Sequence, residues 1–438
     1  MTARCGAVRA RDDERAGPPS GVVYPAPERG ATAWTGVAAA MFAVAWGGNA
    51  FTPLLGLYRD TFGFGELAVN TLLSAYVVGI SPALFAAGHL VVRFGPKRVL
   101  ITAPVLSMLG SLLLAAGHWV HPLLYAGRAA IGLALGLGMV VGGVWLTALS
   151  SPPWHPVART GLGARRAAMS LTAGFGLGAG AMGAVAQWSP LPTVLPYSMH
   201  LVLSVIALLM VARSPDVEPP PPASGRAAPP DTGAVHLRVL PVAPWVFGSL
   251  GLAYAILPQL VQDRIGSLIT VYSAVLCLIS LGGGFITQRL LARLRDPAGV
   301  PSALIGFALF VTTVCVAAGL MGMLSPWLVL VLAGVLGSSY GFMIAGCLQE
   351  IEYGVPPERL ARSVSLVWAL SYAGFALPTA VSLLHRATGL GHARILLGTA
   401  AAATLTVAAT RLLARRTSRA AAAPVATARS EAVPVRPE

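Results

Sequence analysis

The sequence predicts an all-α integral membrane protein of about twelve transmembrane helices arranged as two pseudo-symmetric six-helix bundles. Three observations carry that expectation. The 438 residues are 55% hydrophobic and 11% charged, with a mean hydropathy of +0.72, whereas soluble domains carry roughly 25% charged residues. Apolar stretches of about the 20 residues needed to cross a bilayer recur from Trp34 to the neighbourhood of Arg411. The longest polar interruption, Arg213 to Arg238, divides them six and six.

In chain order, residues 1–31 mix Arg4, Arg9, Arg11 and Arg15 with Asp12, Asp13 and Glu14 and hold no apolar core. They read as a disordered tail without a cleavable signal peptide, so the first span directs its own insertion. The first six-helix unit, 32–213, carries expected spans at 33–58, 68–92, 97–119, 122–149, 165–188 and 194–213. Residues 214–240 are rich in Pro, cannot bury enough apolar surface to fold, and are expected to form a flexible linker. The second unit, 241–413, carries spans at 242–262, 266–290, 300–322, 325–349, 361–385 and 392–413. The Ala/Pro/Arg-rich residues 414–438 form a second expected disordered tail.

Charge sets the orientation, because cytoplasmic loops retain Lys and Arg. With the N-terminus inside, that side carries both basic tails and Arg93, Lys97, Arg98, Arg159, Arg165, Arg166, Arg213, Arg226, Arg238, Arg289, Arg293, Arg295, Arg359 and Arg362. The other side carries Arg59, Arg264, Arg386 and Arg394. Both termini are therefore expected in the cytoplasm, with the chain in the plasma or inner membrane. The net charge of +14 is then a topology signal with some anionic-lipid contact, and no compact basic domain exists for nucleic acid. Cys5 lies in the tail and Cys277, Cys315 and Cys347 lie within apolar runs, so no disulfide is expected.

The two halves share a pattern. The loop after span two reads Gly88-His-Leu-Val-Val92-Arg93-Phe-Gly95-Pro-Lys97-Arg98, and the loop after span eight reads Gly284-Phe-Ile-Thr-Gln288-Arg289-Leu-Leu-Ala-Arg293. In both, Gly is followed by Arg five residues on and by another cation four residues later. The first loop resembles the signature loop of the major facilitator superfamily, in its drug and metabolite efflux-like branch. Pro53 of span one, Arg128 with Gly132 and Gly136 in span four, and the stripe Gly174, Gly178 and Gly183 in span five extend the resemblance. It implies two bundles rocking about a mid-membrane site. It also implies a gating role for Gly88, Arg93, Gly95, Lys97, Arg98, Gly284 and Arg289, whose contacts exist in one state only. Fixing topology is the competing role for these cations.

Two positions depart from the family pattern. Val92 stands where the family has Asp, a charge able to meet Arg and a helix N-terminus, and its counterpart Gln288 is also neutral; one lock on the outward-facing state is expected to be weak. Ala179 stands where drug antiporters have Pro.

Titratable groups are scarce within the spans. Glu350 is the best candidate for proton coupling, the alternative being a helix-end carboxylate paired with Arg359 or Arg362. Arg128, about six residues into span four, must face the bundle interior or snorkel outward; the resemblance favours the cavity. Trp46, Asn49 and Pro53 share a face of span one, and Ser365, Trp368 and Tyr372 a face of span eleven. With Tyr254 and Tyr340 they outline a substrate chamber of few charges, suited to an apolar or weakly polar molecule. The competing role is helix packing and interhelical hydrogen bonding. His118 and His121 lie at i, i+3 without a third ligand, so no metal or other cofactor is expected, and His200 reads as a packed or cavity histidine.

The function expected is proton-coupled export of a small lipophilic compound by a monomer. A facilitator or importer of a neutral solute, and a non-transporting membrane sensor, stay open. Convergent His, Asp or Glu groups for an intramembrane enzyme are missing, as is a P-loop.

Overall fold

The computed structural model describes residues 32–155, 162–217, 232–293 and 302–422. The N-terminal tail, most of the linker, the last sixteen residues, Cys5, Arg159 and Arg295 lie outside them, as does the Arg293 side chain. Twelve of the described helices are long and apolar enough to span a membrane: α1 Thr35–Phe62, α2 Glu66–Phe94, α3 Pro96–Ala116, α4 Pro122–Leu149, α5 Leu162–Trp188, α6 Leu195–Ala212, α7 Thr232–Gln259, α8 Gln262–Leu291, α9 Ser302–Gly319, α10 Pro326–Gly354, α11 Arg362–Thr388 and α12 His392–Thr417. The ends of α2, α4, α6, α8, α10 and α12 share a face with the linker, called here the linker face; the opposite one is the distal face.

Two boundaries differ from expectation. Helix α7 begins at Thr232, inside the expected linker, because Ala234, Val235 and Val239 are buried, with Val235 against Gly354 of α10. The last helix runs to Ala422 rather than 413; its Ala/Leu/Arg composition favours helix, and Ala414 is fully packed.

The halves are internal copies in packing as well as pattern. In the first half α2 packs on α4, α3 on α4 and α1 on α5; in the second, α8 packs on α10, α9 on α10 and α7 on α11. Without a hydrophobic drive between helices in lipid, such contacts depend on close approach. A Cβ at Gly132 of α4 would collide with the Tyr76 carbonyl of α2, and one at Gly337 of α10 with the Ser280 carbonyl of α8. Gly174 makes the same approach to Phe42 of α1, and Gly374 to Pro244 of α7. Across the halves, α5 meets α8 and α2 meets α11. Helices α1 and α7 are the most enclosed, each 78% buried over its apolar window, against 28% for α12. The lipid-side helices present Leu112, Val202 and Leu405 outward.

Candidate functional site

The central helices break their regular winding at one level. Helix α1 passes through a 3-10 turn at Thr52–Leu54, α7 through a π-helical turn at Leu252–Ile256, and α11 through a 3-10 turn at Gly374–Ala376. Irregular backbone at membrane depth persists only where protein or a cavity surrounds it. A small cavity of about 30 Å³ lies here.

Each half supplies seven of its fourteen lining residues: Gly48, Asn49, Thr52, Leu73, Tyr76, Arg128 and Phe175 from the first, and Phe247, Leu250, Tyr254, Leu281, Tyr340, Tyr372 and Phe375 from the second. The first wall carries the polar groups. Asn49 Nδ2 donates to the Phe175 carbonyl at 3.1 Å, while its Oδ1 accepts from the Thr52 hydroxyl at 2.8 Å. Arg128 is buried, with Nε donating to the Leu72 carbonyl at 3.2 Å and Nη2 to that of Leu73 at 3.4 Å. Its guanidinium carbon stands 4.8 Å from the ring centroids of both Phe51 and Tyr76.

The second wall is aromatic. Phe247 stacks on Tyr372 at 4.3 Å between centroids, and Tyr372 meets Tyr76 across the halves edge to face at 5.8 Å. The Tyr372 hydroxyl points to Met139 Sδ at 3.2 Å, and the Tyr254 hydroxyl is buried without a partner.

Among the sequence-predicted residues, Asn49, Arg128, Tyr254, Tyr340 and Tyr372 line this cavity. Trp46 and Trp368 do not. Trp46 turns toward α5, where Gly178 packs on it, because the small residues there leave room for the indole. Trp368 lies one layer behind, within the ring cluster of Phe247 and Tyr372. Tyr76, a lone polar aromatic in the apolar run of α2, was open to the reasoning applied to Tyr254. Phe247 and Phe375 carried no signal, since a cavity phenylalanine and a packed one read alike.

Glu350 is elsewhere. It pairs with Arg238 at 3.2 Å and contacts Arg411 at 3.7 Å, within the second half and toward the linker face. The partners differ from the expected Arg359 or Arg362 because α7 starts early, bringing Arg238 alongside α10, and because Arg411, within the expected last span, also reaches it. His200 is satisfied by Ser111 at 2.6 Å and the Ala43 carbonyl at 2.9 Å. His118 bonds Thr193 and His121 sits between the rings of Phe62 and Phe64. No group of three metal-ligating side chains occurs among the described residues.

Toward the distal face the halves are joined by hydrogen bonds. Asn70 donates to Ser382 at 2.7 Å and accepts from Gln259 at 3.2 Å; Thr379 donates to the Asn70 carbonyl at 2.7 Å and meets Ser74 at 2.5 Å. Glu66 accepts from Ser382 at 2.7 Å and pairs with His392 at 3.2 Å. Gln187 of α5 bonds Ser267 and Val271 of the second half.

The basic loops at the linker face stay within their own halves. Arg93 lies over Phe94 and Arg289 over Phe285, while Lys97 donates to the Ser214 carbonyl at 2.8 Å. Gly95 turns α2 into α3 at φ +80°, a conformation suited to glycine. Gly88 has open space beside it and Gly284 packs on Tyr340 of its own half. Val92 is 85% exposed.

Two repeated bundles enclosing a cavity at their interface form a membrane transporter fold, with the site at the repeat junction. The chain belongs to the Major Facilitator Superfamily, whose family model matches residues 37–379. No curated protein matches it by sequence. Solved structures share the fold: a peptide transporter of the POT family bound to sulfate at 13% identity, covering 89% of this chain and 95% of that one with a TM-score of 0.70. A mutant of the nucleoside transporter NupG aligns at 12% identity, 86% and 98% coverage and a TM-score of 0.64. A bacterial homologue of the lysosomal transporter Spinster, inward-facing and unoccupied, aligns at 14%, 91% and 99%, with a TM-score of 0.63.

Proposed function

We propose that this transporter exports small lipophilic compounds from the cell by alternating access, with both termini cytoplasmic and the distal face outside. One observation carries the reading: the chamber is built equally by two halves that are hydrogen-bonded together on its distal side. A ligand there bridges the halves, so its binding can bias their relative position. The excess of Lys and Arg at the linker face supports the orientation.

Exchange with a proton is part of the reading, but its seat moves from Glu350. Glu350 pairs with Arg238 and Arg411 and touches only its own half. Glu66 with His392 bridges the halves, so this pair forms and breaks with their separation. The test is flux into proteoliposomes carrying a pH-sensitive dye, with a panel of aromatic compounds and an imposed pH gradient. Proton movement appearing only with a compound, lost in Glu66→Gln and kept in Glu350→Gln, is expected. Compound flux without proton movement would replace exchange by facilitated transport.

A further inference from the structure

The chamber holds a buried cation with no counter-charge among the described residues. Arg128 is 1% exposed, none of the fourteen lining residues is Asp or Glu, and its two hydrogen bonds, at 3.2 and 3.4 Å, go to main-chain carbonyls. Guanidinium carries five N–H donors, and Nη1 is buried here without any partner. Buried charges in proteins are normally paired, and the cost of leaving one unpaired is high. On the opposite wall the Tyr254 hydroxyl is likewise buried and unpartnered. Two residues that line one cavity, half of whose lining is aromatic, therefore each carry an orphaned polar group.

We infer that the substrate is an organic anion: an apolar, aromatic-bodied molecule with a single carboxylate-type head that pairs with Arg128. The inference rests on the chamber being the substrate site. The head would accept from Arg128 Nη1, with the Tyr254 hydroxyl as a second donor, and the body would stack on Phe247 and Tyr372 of the other half. Such a ligand engages one half by charge and the other by aromatic contact. Lipophilic cations are disfavoured by the same fixed charge. An anion leaving the cell also moves down the inside-negative potential, which suits a chamber without a carboxylate of its own.

The test uses the purified full chain and three matched probes, 2-naphthylacetate, its amide and 2-naphthylethylamine, titrated by calorimetry at pH 7. The acid is expected to bind at least about tenfold more tightly than the amide, as hydrogen bonds to a charged group allow, and the amine most weakly. Arg128→Gln should bring the acid down to the affinity of the amide and leave the amide unchanged, Arg128→Lys should keep most of the preference, and Phe247→Ala should weaken acid and amide alike. Should Arg128→Gln fail to fold, the order of affinities in the unaltered chain and a loss of the acid's advantage in Tyr254→Phe decide. Amide or amine binding as tightly as the acid would overturn the inference while leaving the chamber as the site. Failure of all three to bind at millimolar concentration, or binding indifferent to Phe247→Ala, would remove the chamber reading and the inference with it.

Discussion

The two faces of one interface are held differently. At the distal face, neutral side chains from α2, α7 and α11 bond one another across the halves, with Glu66–His392 at the rim. At the linker face, where the cations gather, Arg93 and Arg289 lie over rings of their own helices and Lys97 reaches the end of its own half. Among the described residues, the hydrogen bonds between the halves lie from the chamber to the distal face. Charge density and sealing are thus separated. Interhelical hydrogen bonds in membranes average about 0.6 kcal/mol each, so a belt of them supplies a few kcal/mol, the scale of a two-state conformational bias.

Breaking the belt at its hub should have the largest effect. Asn70→Leu removes the bonds to Ser382 and Gln259 and strands the Gln259 amide, while Ser382 keeps Glu66; at about 1–2 kcal/mol, it should shift the halves roughly 5- to 30-fold toward a distal-open state. Labelling of single cysteines placed on the distal face by a membrane-impermeant maleimide checks it, with increased labelling expected. Glu66→Gln should act in the same direction but less. The pair is about one-fifth exposed on each side, the Ser382 bond can persist, and a partly exposed pair contributes about 1 kcal/mol or less. Its effect should shrink in high salt, unlike that of Asn70→Leu.

The comparison also predicts weak responses at the linker face. Val92→Asp supplies the missing family charge, yet the side chain there is exposed. It can gain only in the linker-closed state, and distal labelling should rise by no more than about threefold. Glu350→Gln should leave labelling of both faces unchanged. It strands Arg238 and Arg411 within one half, so the expected result is a melting temperature lower by about a few degrees.

This contrast also explains what the sequence made legible. Span number, the six-and-six division and the basic loop were readable because hydropathy and charge are local signals. Asn49, Arg128 and Tyr254 were readable as polar groups that lipid would not tolerate. The distal belt was not: Asn70 and Ser382 are single polar residues 312 positions apart, and nothing local pairs them. Glu350 drew attention because it is a carboxylate near a span, but its arginine partners sit on two other helices. Trp46 shares a helix with Asn49 yet packs toward α5, since small residues there accept it.

Alternating access through the sealed distal face is tested most directly by distances between paired spin labels. One pair, Trp119→Cys with Met323→Cys, spans the halves at the distal face. The other, Val92→Cys with Tyr353→Cys, spans them at the linker face. All four positions are well exposed, Cys5 and Cys315 are replaced by alanine, and the buried Cys277 and Cys347 are left. With Asn70→Leu added, the distal distances should lengthen while the linker-face distances shorten, two faces moving in opposition about the chamber. Distances unchanged at both faces, or lengthened at both, would contradict the account.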